Sequence, residues 1–196
     1  MSLPEFPFGD MSLESFATAF RAGRIRSRDV TETSQLAGLK IRTIQTPIYV
    51  KAVELMGASP TPMAFGEVYT SLQTGVIDGY EHDANTTMQQ RFYEIAGFMA
   101  RTGHIAGVLG LWASTATLAR LPPDLRSALE GAALEAARQH RLRGPEEDTA
   151  ATEQLRRSGM TIREIDHRAL LPAAERLWNA EARAQGTESW LQAIRA

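Results

Sequence analysis

The chain has 196 residues, 21 of them Lys or Arg and 23 Asp or Glu, giving a net charge of -2. That near balance removes any bulk attraction to nucleic acid or anionic lipid, so neither is an expected partner. The absence of cysteine excludes disulfides, thiol catalysis and thiolate metal sites.

Residues 1–10 have neither a basic nor an apolar region of the signal-peptide kind, so no export signal is expected in them. Residues 1–37 are the least readable. A short helical pattern over 13–22 runs into Arg21, Arg24, Arg26 and Arg28, which reads as a solvated surface turn because no aromatics interleave with the charges. From Gly38 the chain becomes regular. Leu39-Lys40-Ile41-Arg42-Thr43 alternates as a strand does. Pro47 opens a helix that runs through Met56 and stops at Gly57. The prolines of Ser59-Pro60-Thr61-Pro62-Met63 hold that segment extended. Residues 66–74 carry Val68, Tyr69 and Leu72 at helical spacing and end at Gly75, after which Val76-Ile77-Asp78-Gly79 starts a strand. Short strands alternating with short helices indicate an α/β layer with parallel pairing.

A helix is expected over 86–96. Residues 104–112 read as a buried strand, nearly all apolar but with two glycines and too short to span a bilayer. After Leu121-Pro122-Pro123-Asp124 a long helix reaches about Arg143, with Leu125, Leu129, Ala132, Ala133 and Ala136 along one face. Gly144-Pro145 should break or kink it, with helix resuming to Gly159. An edge strand over 161–165 and helices over 167–185 and 188–195 complete the pattern.

Arg42 stands at the C-terminal end of its strand, where open α/β sheets place ligand crevices. A guanidinium there offers a fork matched to a carboxylate; the alternative is an ordinary Arg beside a surface acid. Phe65, just before a helix start, could wall a pocket or serve as a core staple. Tyr80-Glu81-His82-Asp83 with Asn85 could bind a metal or perform acid–base work. Neighbours on an extended segment point to opposite sides, however, and cannot all converge on one ion. There is no Gly-x-Ser-x-Gly, phosphate loop or dinucleotide fingerprint. No metal, cofactor or catalytic residue is expected.

Taken in order, Gly38-Leu39-Lys40-Ile41-Arg42, the run from Gly57 through Pro60, Pro62 and Phe65 to Tyr69, Leu72-Gln73-Thr74-Gly75-Val76-Ile77-Asp78-Gly79, and Phe92-Tyr93-Glu94 resemble one family. It is the DctP-type substrate-binding proteins of TRAP (tripartite ATP-independent periplasmic) transporters, and the resemblance extends over about 35–196. It implies two α/β lobes closing on a carboxylate and no enzymatic activity. By the same resemblance Arg42 grips the carboxylate, Phe65 is the pocket aromatic and Gln45 a further polar contact. Tyr80 and His82 are added as candidates; His82 stands where such proteins often carry Asn.

The expectation is therefore a periplasmic-binding-protein-like α/β lobe with long C-terminal helices. Residues 1–37 form an unread segment, 38–103 the core of the second lobe, 104–145 a return segment of an absent first lobe, and 146–196 the helices that complete the second. The implied function is capture of a small organic acid in the periplasm for a TRAP membrane permease. The alternatives are a truncated, self-associating homologue without transport activity and a small hydrolase built on Glu81-His82-Asp83. Self-association, with exchange of a segment as one route, is expected because the strand over 104–112 and the long-helix stripe each need a covering surface.

Overall fold

The computed structural model describes residues 22–25, 30–105, 110–166 and 168–195. Among them are the strands β1 Ala22–Ile25, β2 Lys40–Thr43, β3 Ser59–Pro62, β4 Gly79–His82, β5 Phe98–Arg101 and β6 Thr161–Glu164. The helices are α1 Pro47–Leu55, α2 Val68–Thr74, α3 Ala84–Gln89, α4 Thr115–Leu118, α5 Pro123–Arg157, α6 Leu171–Gln185 and α7 Glu188–Arg195. The strands form one sheet in the order β3-β2-β4-β1-β5-β6. β2 runs parallel to β3 and β4, and β5 parallel to β6, whereas β1 is antiparallel to both its neighbours.

β3 shows how composition selects a place in the sheet. The amides of Ser59 and Met63 donate to Leu39 and Thr43 of the β2 side. Amides alternate in direction along a strand, so those of positions 60 and 62 would face away from β2. Proline there forfeits nothing, provided the strand is an edge, and β3 is one. At the far edge lies β6, as expected. α2 ends on Gly75 at φ 79°, with the Val76 amide returned to the Ser71 carbonyl at 2.9 Å. A residue without Cβ takes that left-handed turn at no steric cost.

Both faces of the sheet are covered. Ile41, Ala100 and Ile165 pack with Val53 of α1, with Met56 just after it, and with Val30, Leu36 and Leu39. On the other face Tyr80 joins Val68, Leu72, Ile77 and Phe92, while Met99 meets Ala151, Leu155 and Ala84. Register places Arg42 opposite Tyr80, and thus on this second face.

Several expectations need correction. The arginine-rich segment is not simply a surface turn: Ala22–Ile25 is a central strand, while Arg21, Arg26 and Arg28 lie outside the described residues. Ala-Gly-Arg-Ile, with one large apolar residue, carries too weak a hydrophobic pattern to announce a strand whose place comes from pairing on both edges. The strand expected from Val76 begins at Gly79 instead, because the Val76 and Ile77 amides return to the Ser71 carbonyl at the end of α2; Asp78 then joins β2 by two hydrogen bonds with Lys40, each 2.9 Å. The helix expected over 86–96 starts at Ala84, ends at Gln89 and yields to a 3-10 turn at Phe92–Glu94, since Arg91 sits at φ 55°.

The described parts of 104–112 are not strand, and Trp112 is 92% exposed; residues 106–109 lie outside the described set. Among the described residues the edge strands are β3 and β6, and neither pairs with this segment. Gly144-Pro145 does not break the long helix, and α5 is continuous over 35 residues, about 52 Å at 1.5 Å per residue. Proline removes one amide donor, a loss outweighed by the packing of the later turns. Asp148, Ala151, Thr152 and Leu155, the buried residues of α5, all lie beyond Pro145. The turns before Pro145 carry Leu125, Leu129, Leu134 and Leu142 exposed.

That asymmetry has a measurable consequence. Leu155→Ala should cost about 2–5 kcal/mol, as for a fully buried leucine. Leu129→Ala should stay within about 0.5 kcal/mol for the monomer, as for a surface position. Urea midpoints of the two variants are the measurement; equal losses would show that the first half of α5 is packed in solution.

Candidate functional site

Three parallel strands bring the site residues together. β2, flanked by β3 and β4, ends at Thr43, so the turn after β3, the end of β4 and Arg42 lie side by side. Arg42 is 3% exposed, and its Nε and Nη2 both donate to the Met63 carbonyl, at 3.1 and 2.9 Å. Its guanidinium carbon lies 5.7 Å from the centre of the Phe65 ring, within cation–π range. Arg42 thus lies against Phe65 but is closed off from solvent, because the Met63–Phe65 turn folds over the guanidinium. A guanidinium has five N–H donors, of which this carbonyl takes two.

Phe65 is the rim of an aromatic ladder. Its ring lies 5.3 Å from the His82 imidazole and 6.0 Å from Phe92, and Phe92 in turn meets Tyr80 edge-on at 4.8 Å. Phe65 remains 39% exposed, whereas Tyr80 is 1% exposed, with its hydroxyl 3.1 Å from that of Thr87. Tyr80 therefore lies beneath the site rather than on its surface. Gln45 is exposed and lines an open groove of about 490 Å³ with Thr46, Pro47, Val50, Lys51, Glu54 and Pro62. This groove adjoins the start of α1 and does not include Arg42, Phe65 or His82. Its lining is mostly apolar, with Gln45, Thr46, Glu54 and the ion-paired Lys51 as polar members and no guanidinium among them, so the convergence of Arg42 and His82 on Phe65 is the stronger ligand site.

The cluster from Tyr80 to Asp83 does not converge on a point. Tyr80 and His82 share one face of β4, while Glu81 is fully buried on the other. Asp83, which sequence reasoning treated only as one member of the cluster, has a defined task. It is the N-cap of α3, accepting from the Thr86 amide at 2.7 Å and the Thr86 hydroxyl at 3.0 Å, and it lies 2.8 Å from His82 Nδ1. An Asp directly before a short helix was the available signal. Burial alone would raise the Asp83 carboxyl, but the hydrogen bonds from His82 and Thr86 outweigh it and hold the group well below the usual carboxylate range.

A second polar group anchors α5 beside the site. Arg101, at the end of β5, pairs with Asp148 at 3.1 Å and Glu164 at 3.5 Å. Burial pushes the Asp148 carboxyl up, Arg101 draws it down, and the nearby Asp83 charge raises it again.

Comparison with known proteins places the chain in a family. The model of the bacterial extracellular solute-binding protein family 7, DctP, matches residues 18–184. The chain belongs to that family. A solute-binding protein of Roseobacter denitrificans is 37% identical over 151 residues, which is 76% of this chain and 46% of that protein. A TRAP periplasmic solute-binding protein of Sulfitobacter sp. NAS-14.1, solved with bound α-D-taluronate, superposes with a TM-score of 0.84 at 28% identity. The match covers 90% of this chain and 58% of that one. A counterpart from Chromohalobacter salexigens, solved with bound D-glucuronate, gives 0.79 at 28% identity, over 89% and 59% of the two chains. The chain thus spans about half the length of the relatives it matches. The DctP resemblance read on the motifs from Gly38 to Glu94 and the α/β lobe with long C-terminal helices are both correct.

The Asp83 cap sets a pH dependence. Its folded-state ionisation lies below the unfolded value of about 3.9. Its contribution is therefore full above that value and is lost as the pH falls through the lower, folded one. Asp83→Ala should cost about 1 kcal/mol at pH 7 as a lost N-cap, and the difference from wild type should narrow below about pH 4. Denaturation midpoints from pH 2 to 7 test this; a gap that stays constant down to pH 2 would contradict it.

Proposed function

We propose that this DctP-family chain is the carboxylate-holding part of a TRAP-type solute-binding protein, capturing a small organic acid in the periplasm for a membrane permease. It binds and does not transform its ligand. The observation that carries this reading is the gathering of Arg42, Phe65 and His82 at the C-terminal ends of parallel strands, where open sheets take ligands. Relatives holding the hexuronates taluronate and glucuronate support a sugar-acid ligand.

In this reading Arg42 pairs with the carboxylate and Phe65 forms the apolar wall. His82 supplies a polar contact, Tyr80 supports the wall from beneath, and Gln45 stands at the rim. Met63 holds the guanidinium in place, and the Met63–Phe65 turn gives way on binding so that the fork can engage two oxygens. Residues 38–103 and 146–196 constitute one lobe, and 104–145 a segment passing to another. The exposed Leu111, Trp112, Leu125 and Leu129 suit a segment that is covered in the working assembly, either by the remainder of such a fold or by a second copy exchanging it.

One wall of a cleft encloses little of a ligand, so affinity of the isolated chain for D-glucuronate or a simple dicarboxylate should be weak, near millimolar or about 4 kcal/mol. Arg42→Lys should weaken it by about a further tenfold, because a point charge loses the bidentate fork. Calorimetry is the measurement; unchanged affinity in Arg42→Lys would remove Arg42 from the site.

Self-association is the expected consequence of the exposed apolar segment. Light scattering on a sizing column should find a dimer or larger assembly at micromolar concentration. A clean monomer would leave covering by another part of the fold as the remaining account.

A further inference from the structure

His82 and Asp83 contain a chemical instruction beyond charge. The Asp83 carboxylate accepts from the Thr86 amide and the Thr86 hydroxyl while lying 2.8 Å from His82 Nδ1. An ionised carboxylate has no proton to give. A contact that short therefore needs the proton on Nδ1, since two facing lone pairs would repel. The Asp83 amide also lies 3.1 Å from Nδ1, a contact that would favour a bare Nδ1, but the bond to an ionised acceptor is both shorter and the stronger kind. A neutral imidazole protonated at Nδ1 has a bare acceptor at Nε2. Among the described residues Nε2 has no hydrogen-bond partner, and the side chain retains 17% exposure beside the Phe65 ring.

We propose that Asp83 is a positioning residue: it locks His82 as the Nδ1–H tautomer and so makes Nε2 a hydroxyl acceptor, and the site takes a hydroxy acid rather than a plain carboxylate. The ligand assignment rests on the reading of the Arg42–Phe65 site above; the tautomer does not. Arg42 can only donate and so answers a carboxylate, whereas the His82 acceptor answers an O–H. A site built to pair a ligand hydroxyl discriminates against the analogue without it, because the acceptor is then left unpaired.

Nitrogen-15 spectra of the full chain labelled at histidine read the tautomer directly at pH 8, with His82→Asn identifying the resonances. His82 is expected to carry its proton on Nδ1 in the wild type and to move toward Nε2–H in Asp83→Ser, which retains an N-cap oxygen but cannot reach the ring. A wild-type Nε2–H signal, or the same tautomer in a folded Asp83→Ser, overturns the positioning role. The wild-type spectrum decides the matter even where the variant fails to fold. Titrations with D-glucuronate and with hexanoate, followed by chemical shift, then test the ligand class. Wild type should favour glucuronate by about tenfold or more, the equivalent of one hydrogen bond. Asp83→Ser should reduce that preference and Arg42→Lys should weaken both acids alike. Equal affinities in the wild type overturn the hydroxyl acceptor. Indifference of both acids to Arg42→Lys removes the carboxylate site instead, leaving the tautomer result intact.

Discussion

The burial of Arg42 is the constraint on which the site depends. A guanidinium taken out of water costs several kcal/mol unless its donors are met. Here β3 and the turn after it meet two of them through one backbone carbonyl, that of Met63. The turn can supply that carbonyl only because β3 runs parallel to β2 in the register that sets Arg42 against Thr61. The same turn then places Phe65 over the guanidinium. Strand pairing, charge solvation and the aromatic wall are thus one arrangement, and moving any one of them disturbs the others.

From Phe65 the arrangement passes inward through Phe92 to Tyr80 and sideways to His82. The buried rings give the exposed one a rigid seat, and edge-on contacts of this kind add about 0.5–1.5 kcal/mol each beyond area. His82 gains its orientation from Asp83, whose main structural task is to start α3. A helix cap therefore doubles as the support of a site residue, which couples the local fold to the chemistry of the ring.

α5 divides the molecule differently. Its second half is bound to the sheet by Leu155 and Ala151 and by the Arg101–Asp148 pair, so its core contacts tolerate the proline within the helix. The first half projects apolar residues into solvent. These exposed residues are the ones that the proposed covering, by a further part of the fold or by a second copy, would bury.

Much of the local structure was legible in residue order. Pro47 and Gly57 bounded α1, Gly75 ended α2, the two prolines held β3 extended, and Arg42 stood out at a strand end. These features arise from backbone sterics and side-chain alternation, which act within a few residues. The motif run that resembles the DctP family also brought Arg42 and Phe65 together. Residue order could not show that Ala22–Ile25 fills the centre of the sheet, because that strand is made by partners about 55 and 75 residues away rather than by its own pattern. Nor could it show that Arg42 is covered, that Asp83 orients His82, or that α5 runs unbroken through Pro145. Each is a balance between a local preference and contacts distant in sequence, and such contacts exist only once the chain has folded.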